Sequence, residues 1–122
     1  MSAAGTGPQF SLTKLGNTLL VAPHSALHDS AIVDMTDNLL GKLRQGEFHN
    51  LILDVSGIAT VDSFMMRAVG ELTRAARFLG VNVVLSGVRP DTALTLVELG
   101  VYFSGIPTAL NLKEAMKILK EE

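Results

Sequence analysis

One short and almost wholly apolar run, Leu51 to Val55 with Asp54 as its only polar residue, constrains the fold of this chain most strongly. Such a run is typical of a strand that is covered on both faces, because a half-buried strand would alternate apolar and polar residues. Residues 81–85 form a second buried run of the same kind. Both runs favour a layered domain in which helices pack against a sheet.

The other segments alternate between strand and helix patterns. Residues 10–15 and 18–22 flank the turn residues Gly16-Asn17 and predict a hairpin. Apolar positions every three or four residues, or helix-end signals, predict helices at residues 27–43, 63–79 and 90–99. A last helix is predicted after Asn111, where Glu114 completes a capping box. A brief extended piece at residues 102–106 precedes this last helix. The resulting fold class is α/β with the order ββαβαβαβα, a mixed and largely parallel sheet flanked by helices. We expect residues 1–9 to be a flexible lead and residues 10–122 to be a single domain.

Composition limits the classes of partner. Ten basic and twelve acidic residues give a net charge of −2, and without a Lys/Arg cluster no nucleic-acid partner is expected. The absence of cysteine excludes disulfides and thiolate metal sites and fits a reducing compartment. Residues 1–9 lack the apolar stretch of a secretory signal, and no run approaches the roughly 20 apolar residues of a membrane helix. We therefore expect a cytoplasmic protein without a membrane partner.

The segment from Asp54 to Ser63 holds the main candidate site residues. It leaves a buried strand, passes Gly57 and enters the longest predicted helix at Asp62-Ser63. Sites in such sheets gather at the carboxyl ends of strands. A phosphate on Ser63 would add about −1.5 to −2 charges beside free backbone N–H groups and the positive end of the helix dipole, where the fold tolerates it. Helix capping by Asp62 and Ser63 explains the same residues and remains an open alternative.

Other candidate residues carry weaker patterns. Ser56 is the second candidate phosphoacceptor, although Gly57 beside it favours a turn. His24 and His28 have the spacing of two metal ligands on a helix, but no third ligand follows, so surface histidines and no metal site are expected. No glycine motif that cradles a phosphate occurs, so no cofactor is expected. None of the three histidines is close in sequence to Ser63, which favours a protein that is not an enzyme.

The stretch 51–57 together with Val61-Asp62-Ser63 resembles the signature of STAS domains, the fold of bacterial anti-sigma-factor antagonists. The resemblance continues through residues 79–90 and 94–100, and it covers the chain from residue 10 onwards. Phe64-Met65 after the serine resembles the single-domain members of the stressosome branch, whereas sporulation-type antagonists tend to read Asp-Ser-Ser-Gly at this point.

The resemblance implies a non-enzymatic regulatory or scaffold component of a stressosome-like complex. Such a component would assemble with RsbR-like STAS paralogues as a homo- or hetero-oligomer, hold a partner-switching serine kinase of the RsbT type, and release that kinase once Ser63 is phosphorylated. Asp54, Gly57 and Asp62 would support the loop. Thr95 lies where RsbR-type relatives carry a second phosphorylatable threonine, although a helix-surface threonine explains it more simply. Two alternatives stay open: a simpler antagonist that binds an anti-sigma kinase, and a nucleotide-binding STAS module.

Overall fold

The structure is a computed structural model that describes residues 10–24, 29–58 and 63–121. The predicted lead, residues 1–9, lies outside the described residues. The elements, in chain order, are β1 (Phe10–Leu15), β2 (Thr18–Pro23), α1 (Asp29–Arg44), β3 (Asn50–Asp54), α2 (Ser63–Phe78), β4 (Asn82–Ser86), α3 (Pro90–Glu98), α4 (Gly100–Phe103), β5 (Thr108–Ala109) and α5 (Leu112–Glu121). The predicted order ββαβαβαβα is confirmed, with α4 as an additional helical turn.

Within the described residues, five strands form one sheet in the order β1-β2-β3-β4-β5. β1 and β2 pair as an antiparallel hairpin, and each later strand is parallel to the one before it. The register pairs Val21 with Leu53, and Asp54 with Ser86. The carboxyl ends of β2, β3 and β4 therefore meet at one edge of the sheet. The predicted mixed and largely parallel sheet is confirmed, and that edge receives the loops that follow these three strands.

The sheet is covered on one face by α1 and α2. Leu51 and Leu53 point to this face and pack in the larger of two apolar clusters with side chains of both helices. Helix α2 packs against this face with one side, because its buried positions Val69, Leu72 and Ala76 recur every three or four residues. The helix that was predicted over residues 63–79 ends at Phe78, one residue earlier.

The other face of the sheet is covered by α5. Between Leu51 and Leu53, Ile52 points to this second face, where it packs with Val84, Ala115 and Leu119. The α5 helix is capped as predicted, since the Asn111 Oδ1 atom accepts the backbone N–H of Glu114 at 2.9 Å. The apolar run that begins at Leu51 thus forms a central strand with both faces buried.

The prediction of an extended piece at residues 102–106 is wrong, because the strand lies further along the chain. The chain forms the helical turn α4 there, and the strand β5 begins only at Thr108. The backbone N–H of Ile106 donates to the carbonyl of Phe103 at 3.0 Å, and Gly105 takes a φ of 79°, so the chain turns instead of extending. Pairing with β4 decides where the strand lies, and that pairing begins after the turn.

The α1–α2 face of the core should be sensitive to loss of volume. Leu39 of α1 is fully buried, whereas Leu94 of α3 is 70% exposed. We expect Leu39→Ala to lower the free energy of unfolding by about 2–5 kcal/mol, because it leaves a cavity in the packed layer. The matched variant Leu94→Ala should change it by no more than about 0.5 kcal/mol. Urea unfolding followed by circular dichroism measures both, and equal losses would contradict the assigned layer.

Candidate functional site

Ser63 is the first residue of α2, and α2 begins after the loop that leaves the carboxyl end of β3. The first backbone N–H groups of a helix have no partner inside the helix, and the helix dipole is positive at that end. The backbone of Ser63 therefore occupies a position where a negatively charged group is favoured. The side chain of Ser63 and the whole of Asp62 lie outside the described residues, so both of their predicted roles stay predictions.

Asp54 sits at the turn with which this loop begins. Its Oδ1 atom accepts the backbone N–H of Ser56 at 3.0 Å, the hydrogen bond of an Asx turn. The next residue, Val55, donates its N–H to the carbonyl of Ser86 at 2.9 Å, which joins the loop to the end of β4. Ile58 is buried in the α1–α2 layer of the core. The first half of the loop is therefore attached to the sheet and to the core before it reaches α2.

Two glycines bring the backbones of neighbouring loops into contact. A Cβ atom at Gly57 would lie 2.9 Å from the carbonyl oxygen of Pro23 in the segment that ends β2. A Cβ atom at Gly87, after β4, would lie 2.6 Å from the Cβ of Ser56 and 2.7 Å from the Oδ1 of Asp54. Real Cβ atoms essentially never come this close to another atom, so a side chain at Gly87 would force its neighbours to shift. The loop after β3 is thus packed closely against the end of β2 at Gly57 and against the loop after β4 at Gly87.

Arg89 joins the loop after β4 to the loop that precedes α2. Its Nη2 atom donates to the carbonyl oxygen of Ile58, the last described residue before residues 59–62. Its Nε atom is buried, makes no hydrogen bond among the described residues, and lies 3.9 Å from the Oδ1 of Asp91. Sequence reasoning missed this role. The available signal was an arginine that directly precedes Pro90, in a loop at the same edge of the sheet.

The remaining predicted site residues are spread over several elements. Ser56 is exposed in the turn next to Asp54. Thr95 lies on α3, where its hydroxyl donates to the carbonyl of Asp91 at 3.4 Å, within its own helix.

His24 is exposed and follows β2, and His28 lies outside the described residues. In the described part of the chain, no group of three or more His, Asp or Glu side chains is placed to hold a metal ion. Nor does any described helix combine the length and the apolar character needed to cross a bilayer.

The contact at Gly87 can be tested by adding one methyl group. Gly87→Ala should lower the free energy of unfolding by about 1–2 kcal/mol for its left-handed φ, and by about 1–3 kcal/mol more for the overlap with Asp54 and Ser56. Gly46→Ala is the matched control, because Gly46 has a similar φ of 81° with nothing within 4 Å.

Urea unfolding compares the two alanine variants, and amide chemical shifts of residues 54–58 report whether the loop moves. We expect these shifts to change in Gly87→Ala and to stay unchanged in Gly46→Ala. Equal stability of the two variants, with an unchanged loop, would contradict the close contact.

Comparison with known proteins identifies the family. Residues 9–115 match the STAS domain family. The structure of Moorella thermoacetica RsbS with a serine-to-glutamate substitution superposes with a TM-score of 0.82 at 31% identity, over 93% of this chain and 96% of that one. A chain from the stressosome, which is described as a signal integration and transduction hub, superposes with a TM-score of 0.76 at 30% identity, over 91% of this chain and 96% of that one.

A curated protein is also similar to this chain in its amino-acid sequence. The RsbT co-antagonist protein RsbRB of Bacillus subtilis is 35% identical over 80 residues, which are 66% of this chain and 29% of that protein. The chain thus spans less than a third of the length of this relative. The predicted resemblance to the single-domain stressosome protein RsbS is confirmed by the structural match. The chain belongs to the STAS domain family.

Proposed function

We propose that this chain, acting through one STAS domain over residues 10–122, is a partner-switching regulator. It holds a serine kinase of the RsbT type within a stressosome-like assembly and releases that kinase when Ser63 is phosphorylated. The observation that carries the proposal is the position of Ser63, which begins the 16-residue helix α2 at the loop edge of a STAS sheet. In this role Ser63 is the substrate of another protein and needs no general base of its own.

The proposed partners rest on the relatives. RsbRB is named for its action with RsbT, and the stressosome chain belongs to a multi-subunit assembly. The similarity to RsbS extends over 96% of that chain, which supports an RsbS-like place in such an assembly. RsbR-like STAS paralogues are then the neighbouring subunits, and the kinase is the partner that is exchanged.

The geometry of the loop edge supports a switch that changes docking and preserves the fold. A phosphate at the first residue of α2 would be stabilised by free backbone N–H groups and by the helix dipole. The contacts of Asp54, Gly87 and Arg89 hold the surrounding loops independently of that hydroxyl. Tolerance of added charge is also supported by the RsbS relative, which keeps this fold with a glutamate in place of a serine.

The same charge would act against a bound kinase. A dianion that enters a protein interface must lose its hydration, and it repels any acidic group that faces it. Like charges that face each other in an interface cost on the order of a few kcal/mol, and about 1.4 kcal/mol already lowers the affinity tenfold. Phosphorylation of one hydroxyl is therefore sufficient to release the partner without unfolding the domain.

The proposed switch predicts different affinities for the kinase in two variants of Ser63. Ser63→Ala should bind an RsbT-type kinase with unchanged affinity, because it adds no charge. Ser63→Asp should bind at least tenfold more weakly, because a carboxylate then occupies the start of α2. Ser56→Asp is the matched control, since it adds the same charge to an exposed position in the preceding turn.

Isothermal titration calorimetry measures the three affinities, and circular dichroism checks that each variant is folded. Tight binding by a folded Ser63→Asp variant would refute the switch. Equal weakening by Ser56→Asp and Ser63→Asp would show a general effect of charge on this edge and would also refute a specific role of Ser63. Capture of an anti-sigma kinase in place of an RsbT-type kinase would favour the simpler antagonist.

A further inference from the structure

The two edges of the described sheet differ in how well they are protected. At one edge β5 pairs over two residues only, whereas β1 at the other edge is six residues long. An edge strand presents unpaired backbone groups, and proteins protect such edges with short strands, proline or charge. β1 contains no proline, and Lys14 is its only charged residue. The β1 edge is therefore the one that is open to pairing with another strand.

The unpaired backbone groups of β1 follow from the hydrogen bonds of its neighbour. The carbonyl of Asn17 accepts the N–H groups of His49 and Asn50, so Asn17 and every second residue after it face β3. The residues between them bond to β1, where the register pairs them with the odd-numbered residues of β1. The N–H and C=O groups that point outwards from the described sheet are therefore those of the even-numbered residues Phe10, Leu12 and Lys14.

We infer that β1 pairs with β1 of a second copy of the chain, antiparallel about a two-fold axis at Leu12. Leu12 then faces Leu12 of the other copy and Phe10 faces Lys14, in pairs that exchange both of their backbone hydrogen bonds. Ser11 faces Thr13 between them, on the opposite face of the sheet. In this register every outward backbone group of β1 has a partner, and the two sheets become one.

The side chains of β1 complement one another across this axis. Phe10 and Leu12 pack against the α1–α2 layer of the core, and Lys14 lies on the same face, 3.7 Å from Glu47. Residues that face each other across two strands share one face of the sheet, so the ammonium group of Lys14 comes beside the Phe10 ring of the other copy. Such a pair is favourable as a cation–π contact. No like charges face each other within the strand.

Other two-fold registers of β1 are less favourable. An axis at Ser11 or at Thr13 leaves one outward residue opposite a position outside the strand, so its backbone groups lose their partner. An axis at Lys14 sets two ammonium groups directly against each other, which is destabilising. With the axis at Leu12, the hydroxyl groups of Ser11 and Thr13 can instead form hydrogen bonds across the two strands. The order of side chains therefore selects a single register.

A second copy fits this edge better than an unrelated strand does. An isologous interface requires a surface that is complementary to itself under a two-fold rotation, and β1 meets that requirement in its backbone and in its side chains. A strand of six residues is about 20 Å long, so the contact is small compared with the roughly 800 Å² per partner of a standard interface. The dimer is therefore weak and depends on concentration. It needs no modification of Ser63, and its test is independent of the kinase.

Complementary charges test the pairing in the full chain. Sedimentation equilibrium should show a dimer for the unmodified protein. The double variant Ser11→Lys with Thr13→Lys should weaken that dimer about tenfold or more, because two pairs of lysines then face each other. Ser11→Glu with Thr13→Glu should do the same with glutamates, and an equimolar mixture of the two variants should dimerise again. Leu94→Lys with Val97→Lys adds the same charge at exposed positions of α3 and should dimerise like the unmodified chain.

Single cysteines test the direction and the register, because the natural chain contains none. In a mixture of Ser11→Cys and Thr13→Cys the facing Cα atoms lie about 4.5 Å apart, so mild oxidation should form a disulfide-linked pair. Either variant alone places its two cysteines about 7–8 Å apart, too far for an unstrained disulfide. Circular dichroism checks that every variant keeps its fold.

Four results would each overturn the inference. They are a chain that stays monomeric at every concentration, a dimer that survives the double lysine variant, a mixture of the charge variants that fails to dimerise, and efficient cross-linking of Ser11→Cys with itself.

Discussion

Backbone contact between neighbouring loops is the constraint on which the candidate site depends. The loop after β3 lies against the end of β2 at Gly57 and against the loop after β4 at Gly87. A side chain at Gly87 would overlap Asp54, whose carboxylate makes the turn that starts the same loop. The absence of two Cβ atoms thus sets how closely the chain passes over the sheet before it enters α2 at Ser63.

The sequence was most informative where burial leaves a local pattern. The run at Leu51–Leu53 predicted a strand with two covered faces, and the period of Val69, Leu72 and Ala76 predicted α2, because both patterns report the environment of consecutive residues. The element order ββαβαβαβα followed from these local patterns, whereas the family came from the resemblance, which compares segments far apart along the chain. These parts of the fold were therefore accessible before any coordinates.

Contacts between distant segments were not accessible in the same way. Arg89 donates to the carbonyl of Ile58, 31 residues earlier. Its place before Pro90 indicates a loop position, but it does not identify the partner of the guanidinium group. The last strand was misplaced for a related reason, since its position depends on pairing with β4 and on the turn at Gly105. Of the candidate site, the sequence could predict Asp54, Gly57 and Ser63 as loop and helix-start residues, but it could not predict how neighbouring loops hold them.

Direct mapping of the phosphate tests the central claim, that one hydroxyl at the start of α2 is the site of the switch. The purified chain would be incubated with an RsbT-type kinase and ATP, and its peptides would be analysed by tandem mass spectrometry. The proposed switch predicts a single phosphate, on Ser63. Phosphate on Ser56 or Thr95 with Ser63 unmodified, or a chain that the kinase leaves unphosphorylated, would contradict it.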